Sequence, residues 1–236
     1  MMKRKYKKYG LRYKKRGMQK IKTYRYPKRN ILGDRSIIKL FITKGETRTI
    51  PINASFISQA LQFNNLVDIN TQFGSAPGLV ALFSSFGRYR VNGIKLKLTA
   101  WPDQNSLNTP VVLFTNAAGE TGELSANPTV GVLPELRWSK YRVCTNAGTG
   151  AKPTTLTSYY STRKVWGPDA TVKNDADFTG EINYSGNPVN WTAPALGPYL
   201  QYGLFTMGGT NPTTAINTTL KIEATVYVQL WQRRYT

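Results

Sequence analysis

The sequence contains no histidine and a single cysteine, Cys144, among its 236 residues. A protein zinc site takes about four Cys or His ligands, so this chain has too few of them. Catalysis by a Ser–His or Cys–His pair is excluded because there is no imidazole. A disulfide within one chain is impossible, and a lone cysteine suits a reducing compartment or a fold without cross-links. We therefore expect no enzyme of these classes, no cofactor and no metal site.

Long apolar runs are also missing. No run approaches the roughly 18 apolar residues that a membrane-spanning helix needs, so we expect no membrane insertion. The basic N-terminus is not followed by the apolar stretch of a secretory signal, and it has none of the serines typical of a mitochondrial presequence. We expect neither kind of targeting segment.

Acidic side chains are absent from residues 1–33. Residues 1–29 contain fourteen Lys and Arg, whereas the rest of the chain carries 18 basic and 12 acidic side chains. Like charges repel along such a segment, and its sparse apolar residues do not offset the entropy of ordering, so the sequence predicts a disordered arm. We divide the chain into a basic nucleic-acid-binding arm, residues 1–34, and a folded domain, residues 35–236.

The composition of the arm predicts that it binds nucleic acid. Basic groups neutralise phosphates with little regard to base sequence. Tyrosine rings add stacking on unpaired bases, about 1–3 kcal/mol per base, which favours a single strand over a duplex. The predicted nucleic-acid-binding residues are Lys3, Arg4, Lys5, Lys7, Lys8, Arg12, Lys14, Lys15, Arg16, Lys20, Lys22, Arg25, Lys28 and Arg29, with Tyr6, Tyr9 and Tyr13 as stacking groups.

Two short basic clusters within the arm are typical of nuclear-localisation signals. Import alone does not account for fourteen charges, because about five to eight residues suffice for such a signal. A solvated tail and a ligand for anionic membranes are the other interpretations. The predicted nuclear-localisation residues are Lys3, Arg4, Lys5, Lys7, Lys8, Lys14, Lys15 and Arg16.

From residue 37 onward the patterns are those of strands and turns. Strict alternation of apolar and polar residues over Thr219–Trp231 predicts a strand with one buried face, and Gly93–Thr99 repeats the pattern with Lys95 and Lys97 on its polar side. One segment, Ala54–Asn64, spaces its apolar residues in a helical manner and predicts a short helix. Weaker patterns predict further strands at Ser36–Thr43, Thr47–Ile52, Pro110–Thr115, Leu136–Thr145, Thr155–Trp166, Phe178–Tyr184 and Tyr199–Thr206.

About seven to nine strands without an internal repeat indicate an all-β domain, a sandwich or jelly roll of two packed antiparallel sheets. The connections vary widely in length, which favours a jelly roll over a tight meander.

Three further groups of residues bear on function. Arg88 and Arg90 precede Lys95 and Lys97 in one strand and extend a basic lining if that side faces nucleic acid; a solvated face or an intersubunit salt bridge is the alternative. Cys144 is interpreted as core filler. An acidic cluster is interpreted as a surface loop, with a cation site as the alternative; it comprises Asp169, Asp175, Asp177 and Glu181.

The arm and two stretches of the domain resemble the capsid proteins of circoviruses and their relatives, small viruses with circular single-stranded DNA. The first stretch is YRVNGIKLKL at residues 89–98, followed by Trp101-Pro102, and the second is VYVQL at residues 226–230. The arm favours Lys where circovirus arms favour Arg, and Thr99-Ala100 separates the first stretch from Trp101-Pro102. These departures indicate a relative of the circoviruses rather than a circovirus proper.

The resemblance implies a single eight-stranded jelly roll, sixty copies of which self-assemble into a small T=1 icosahedral capsid. The arm would package circular single-stranded DNA inside, the protein would be found in the virion and, during assembly, in the host nucleus, and a nuclear import receptor and a host attachment receptor would be further partners. Sixty arms carry about 840 positive charges and sixty chains a net charge of about +1200, which suits a genome of roughly a thousand nucleotides or a few times that.

Three alternatives remain open at this stage. A capsid protein of a small RNA satellite-type virus has the same layout, because such arms neutralise either polymer. A cellular single-stranded nucleic-acid-binding protein would carry its recognition surface on the folded domain. A β-sandwich enzyme or lectin is suggested only by the many aromatic residues.

Overall fold

The computed structural model of the protein describes residues 35–76, 78–79, 83–102, 110–144, 152–171, 175–183 and 190–233. Every predicted nucleic-acid-binding and nuclear-localisation residue of the arm lies outside these ranges, so those assignments stay predictions. The described strands are β1 (Arg35–Ile50), β2 (Phe56–Gln62), β3 (Phe86–Pro102), β4 (Val111–Ala118), β5 (Lys140–Val143), β6 (Thr154–Ser161), β7 (Gly180–Asn183), β8 (Asn190–Trp191), β9 (Tyr199–Thr206) and β10 (Ile216–Arg233). The described α-helices are α1 (Leu66–Phe73) and the single turn α2 (Thr162–Val165).

The strands form two antiparallel sheets. The six-stranded sheet has the order β1-β10-β3-β7-β8, and β6 pairs with β3 beside β7; the four-stranded sheet has the order β2-β9-β4-β5. The pairs are nested along the chain, because β1 pairs with β10, β2 with β9, β3 with β6 and β4 with β5. A long hairpin nested in this way and rolled into two sheets is a jelly roll. The predicted jelly roll is therefore confirmed, with the short β7–β8 hairpin added between β6 and β9.

β10 lies between β1 and β3 in the larger sheet and shows the predicted alternation. It pairs with β1 from Arg35↔Trp231 to Ile50↔Ile216, and with β3 on its other side. Its inward side chains are buried between the sheets, and each of the larger ones contributes roughly 1.5–3 kcal/mol by leaving water. The inward side chains are Leu220, Ile222, Ala224, Val226, Val228 and Leu230.

A β-bulge in β3 changes which side chains face the core. Tyr227 pairs with Gly93 but Val228 pairs with Val91, so Asn92 is an extra residue in β3. The buried positions are odd-numbered before the bulge, as in Val91, and even-numbered after it, as in Ile94. Side chains in a strand alternate between two faces, so one extra residue shifts the numbering of the core-facing positions by one. The core-facing side chains before and after the bulge therefore lie on the same face of the sheet.

The segment Ala54–Asn64 was predicted as a helix, and this prediction is wrong. It contains β2, which pairs with β9 along its whole length. Phe56 packs against a small apolar cluster on the outer side of the four-stranded sheet, and Ile57 packs against the main core. A strand with apolar contacts on both faces loses its alternation, and the result imitates helical spacing. The helix begins only at Leu66, after the N-cap Asn65.

Several predicted boundaries also change. Ser36–Thr43 and Thr47–Ile52 are one continuous strand, β1, because pairing with β10 carries it through Gly45. The predicted strand Leu136–Thr145 is longer than the observed strand β5, because a 3₁₀ turn at Leu133–Glu135 precedes β5.

The chain leaves the sheet earlier than predicted in Thr155–Trp166. β6 stops at Ser161 and turns into α2. The Thr162 hydroxyl there donates to the Val91 carbonyl beside the bulge, at 2.7 Å. By contrast, the predicted strand Tyr199–Thr206 agrees with β9 at both ends.

Candidate nucleic-acid interface

The outward side chains of β1, β10, β3 and β6 form one continuous surface, called here the outer face. The pairing registers place them in rows across the four strands. One row is Phe41, Thr225, Lys95 and Tyr159. The next row towards one side is Lys39, Tyr227, Gly93 and Ser161, and the next on the other side is Thr43, Glu223, Lys97 and Thr157.

Basic side chains predominate on the outer face, and the carboxylates of Glu223 on this face and of Glu181 on the neighbouring strand β7 are both paired with cations. Lys97 Nζ lies 2.7 Å from Glu223 Oε2, and Lys221 Nζ lies 3.4 Å from Glu223 Oε1. The hydrogen bond from Lys97 lowers the pKa of Glu223, so this carboxylate stays ionised. Arg88 Nη2 lies 2.9 Å from Glu181 Oε1 at the edge of the face. The surplus of cations leaves this surface positive.

Lys39 and Lys95 are exposed, and neither forms a salt bridge with a carboxylate in the described part of the chain. Arg88 and Lys97 thus form salt bridges within the chain, and not the intersubunit salt bridge that was the alternative. The basic lining stays a prediction, for which Lys95 is a candidate.

Arg90 does not belong to an exposed lining. It is buried, its Nη2 donates to Gln229 Oε1 at 3.1 Å, and its guanidinium lies 6.0 Å from the centre of the Trp231 ring. Burial, with a smaller effect from Arg35, lowers the pKa of Arg90. Its role is to hold this end of the sheet together.

Aromatic rings lie among the lysines in the middle of the outer face. The Tyr159 and Tyr227 rings meet edge to face, with centres 5.7 Å apart. Lys39 Nζ lies 5.6 Å from the centre of the Tyr227 ring, within the range of a cation–π contact. Tyr159 is 51% exposed and Phe41 is 68% exposed. The face thus combines positive charge with uncovered aromatic surface.

Gly93 makes room for this arrangement. A Cβ at this position would lie 2.6 Å from the Tyr160 carbonyl oxygen and 3.0 Å from the Tyr159 hydroxyl. Only glycine lets β6 and the Tyr159 side chain approach β3 so closely.

Sequence reasoning missed these aromatic residues. It assigned Tyr227 to the polar side of the last strand and gave no role to Tyr159 or Phe41. The signal was present, because each ring alternates with buried residues of its strand. What the sequence alone does not show is that four strands distant along the chain bring the rings together.

The acidic cluster is spread over a loop and a strand edge in the described structure. Within the described ranges, no group of three or more potential ligands lies close enough to hold an ion. Asp175 Oδ1 accepts from the Asp177 backbone N–H at 3.0 Å, and Glu181 pairs with Arg88. These contacts are those of a surface loop and a strand edge.

Cys144 is 2% exposed and directly follows β5. Burial raises the pKa of its thiol to about 11, so the thiolate that a nucleophile needs is scarce at neutral pH. Its predicted role as core filler is confirmed. Among the helices in the described ranges, none is long and apolar enough to cross a bilayer.

No protein-family model and no curated protein sequence matches the chain. Among solved structures, the 60-mer BFDV capsid protein is similar at 13% identity and a TM-score of 0.45, over 86% of this chain and 98% of that one. The Cocksfoot mottle virus structure gives 9% identity and a TM-score of 0.44, over 84% of this chain and 97% of that one. Desmodium yellow mottle tymovirus gives 12% and 0.40, over 86% and 84%. The assignment of the jelly roll rests on the strand pairing.

Proposed function

We propose that this chain is a viral capsid protein that self-assembles into a closed shell around nucleic acid. The observation that carries the proposal is the nested strand order of a jelly roll behind a segment with fourteen cations and no carboxylate. A rigid two-sheet body supplies a building block of fixed shape, and the polycationic arm neutralises an enclosed polyanion. The protein is then a structural component of the virion and not an enzyme.

The finer form of the proposal follows the resemblance to circovirus capsid proteins. Sixty copies form a T=1 shell, the cargo is circular single-stranded DNA, and the basic clusters of the arm direct the protein to the host nucleus before assembly. A net charge of about +1200 per sixty chains matches a genome of roughly a thousand nucleotides or a few times that. An RNA cargo neutralises the same charge, so the nature of the polymer is decided by experiment.

Sedimentation and electron microscopy of the purified full chain test this function. We expect closed particles of one size that contain nucleic acid, and image reconstruction should count sixty subunits. Treatment of the extracted contents with DNase and RNase then identifies the polymer, with DNA as the expected result. A chain that remains monomeric or dimeric at all concentrations and salts would refute the capsid assignment.

A further inference from the structure

We propose that the outer face is a second nucleic-acid site, on the folded domain, that holds a short single-stranded segment. The inference rests on the proposed function, because a packaged genome is the ligand that this surface would meet. Bases stack on the aromatic rings of the face, and phosphates contact its lysines. The rings are those of Phe41, Tyr159 and Tyr227, and the lysines are Lys39, Lys95 and Lys97.

The exposure of the rings points to a stacking ligand. Tyr159 and Phe41, on the two outermost strands of the face, keep half or more of their surface uncovered. An unpaired base offers a flat π surface that covers such a ring regardless of base identity. A duplex offers no such surface, because its bases are already stacked on one another.

The spacing of the rings fits a few nucleotides. Phe41 and Tyr159 stand in one row at opposite sides of four strands, and strands lie about 4.8 Å apart, so the two positions are separated by about 14 Å. The Tyr227 ring lies between them in the adjacent row and contacts Tyr159. Aromatic residues on the four-stranded sheets of RNA-recognition domains stack two or three bases over a comparable surface.

The charge of the face complements a phosphate backbone. Lys95 lies in the same row as Phe41 and Tyr159, and Lys39 lies in the adjacent row beside Tyr227. Neither lysine has a described carboxylate within salt-bridge distance, whereas Lys97 and Lys221 both pair with Glu223. On the outer side of the other sheet, Leu133 packs against Phe114 and Phe205, and the exposed Tyr141 shares its row with Phe114, Gly203 and Ser58 and with no cation. Within the described domain, the outer face is therefore where positive charge and bare rings coincide.

Binding of fluorescein-labelled dT10 and rU10 to the full chain, measured by anisotropy over a range of salt, tests the inference. Tyr159→Ala should weaken binding about fivefold or more at every salt without changing the slope of log K against log salt, because stacking releases no counterion. Lys95→Ala should flatten that slope by about 0.7. Tyr159→Phe should restore binding, because it keeps the ring, and a melting curve verifies that each variant is folded.

Tyr141→Ala is the matched control, since Tyr141 is an exposed tyrosine on β5 of the other sheet. It should bind like the wild type. In parallel, an oligonucleotide carrying 5-iodouracil should photocrosslink to Tyr159, Tyr227 or Phe41 as well as to the arm. dT10 and rU10 should behave alike, because a stacked ring does not read the 2′-hydroxyl.

Two results would overturn the inference and leave the capsid function intact. In the first, crosslinks fall only within residues 1–34 and Tyr159→Ala binds as tightly as the wild type. In the second, Tyr159→Ala blocks particle formation with unchanged binding, which makes the face a contact between copies of the chain. Failure of the proposed function is a distinct result, because the wild-type chain itself would then form no particles and bind no oligonucleotide.

Discussion

Gly93 is the residue on which the outer face depends most directly. It lies next to the bulge of β3, and a Cβ there would come within 2.6 Å of the backbone carbonyl of Tyr160. A backbone atom of a paired strand moves only if the strand moves, so this contact is not relieved by a rotamer change.

Gly93→Ala should therefore lower the free energy of unfolding by about 1–3 kcal/mol, the usual cost of overpacking. Gly45→Ala is the control on the same sheet, because a Cβ at Gly45 meets nothing within 4 Å. It should be neutral or slightly stabilising, since alanine loses less backbone entropy than glycine. Chemical denaturation of unassembled protein measures both values, and equal values for the two variants would contradict the steric account.

At the scale of elements, the sequence predicts strands well where each has one wet face and one dry face. β10 alternates without interruption, and its boundaries are found almost correctly for that reason. β2 has apolar contacts on both faces, so its sequence pattern was wrongly interpreted as a helix. The outer face was not predicted from the sequence for another reason. Its rings come from β1, β6 and β10, and only the long-range strand pairing shows that they are neighbours.

The bulge in β3 gives an element-scale prediction. Deletion of Asn92 removes the extra residue, so β3 should pair with β10 in regular register through this point. Val91, Gly93 and Ile94 would then be consecutive and would face inward, outward and inward, as their partners Val228, Tyr227 and Val226 do. The buried side chains on both sides of the bulge therefore keep their places in the core, and the expected loss is the hydrogen bond from Thr162 to the Val91 carbonyl, about 0.5–1.5 kcal/mol.

We expect the chain lacking Asn92 to fold and to melt within a few degrees of the wild type, as measured by soluble yield and circular dichroism. Asn92→Ala keeps the residue count and should fold normally. A deletion variant that is insoluble or unfolded would show that the bulge itself is required for the fold.

At the scale of the whole molecule, charge is divided unequally along the chain. Fourteen cations precede the first carboxylate, whereas the remaining 18 basic side chains share the sequence with 12 acids. On the described domain several cations are already engaged: Arg88 with Glu181, Lys97 with Glu223, and Arg48 with Glu46. The arm has no such competitor within its own sequence, so its cations are expected to exchange counterions for phosphates.

This division predicts different salt dependences for equal changes of charge. Replacement of Lys14, Lys15 and Arg16 by Gln in the full chain should reduce the slope of log K against log salt for dT10 by about 2, because each cation on a single strand contributes about 0.7. Replacement of three exposed cations of the domain, Lys140, Arg142 and Lys164, should leave the slope nearly unchanged. The ratio of absorbance at 260 and 280 nm in purified particles should fall only for the arm variant. If both triple variants flatten the slope equally, net charge alone governs binding, and the arm has no special role in holding the cargo.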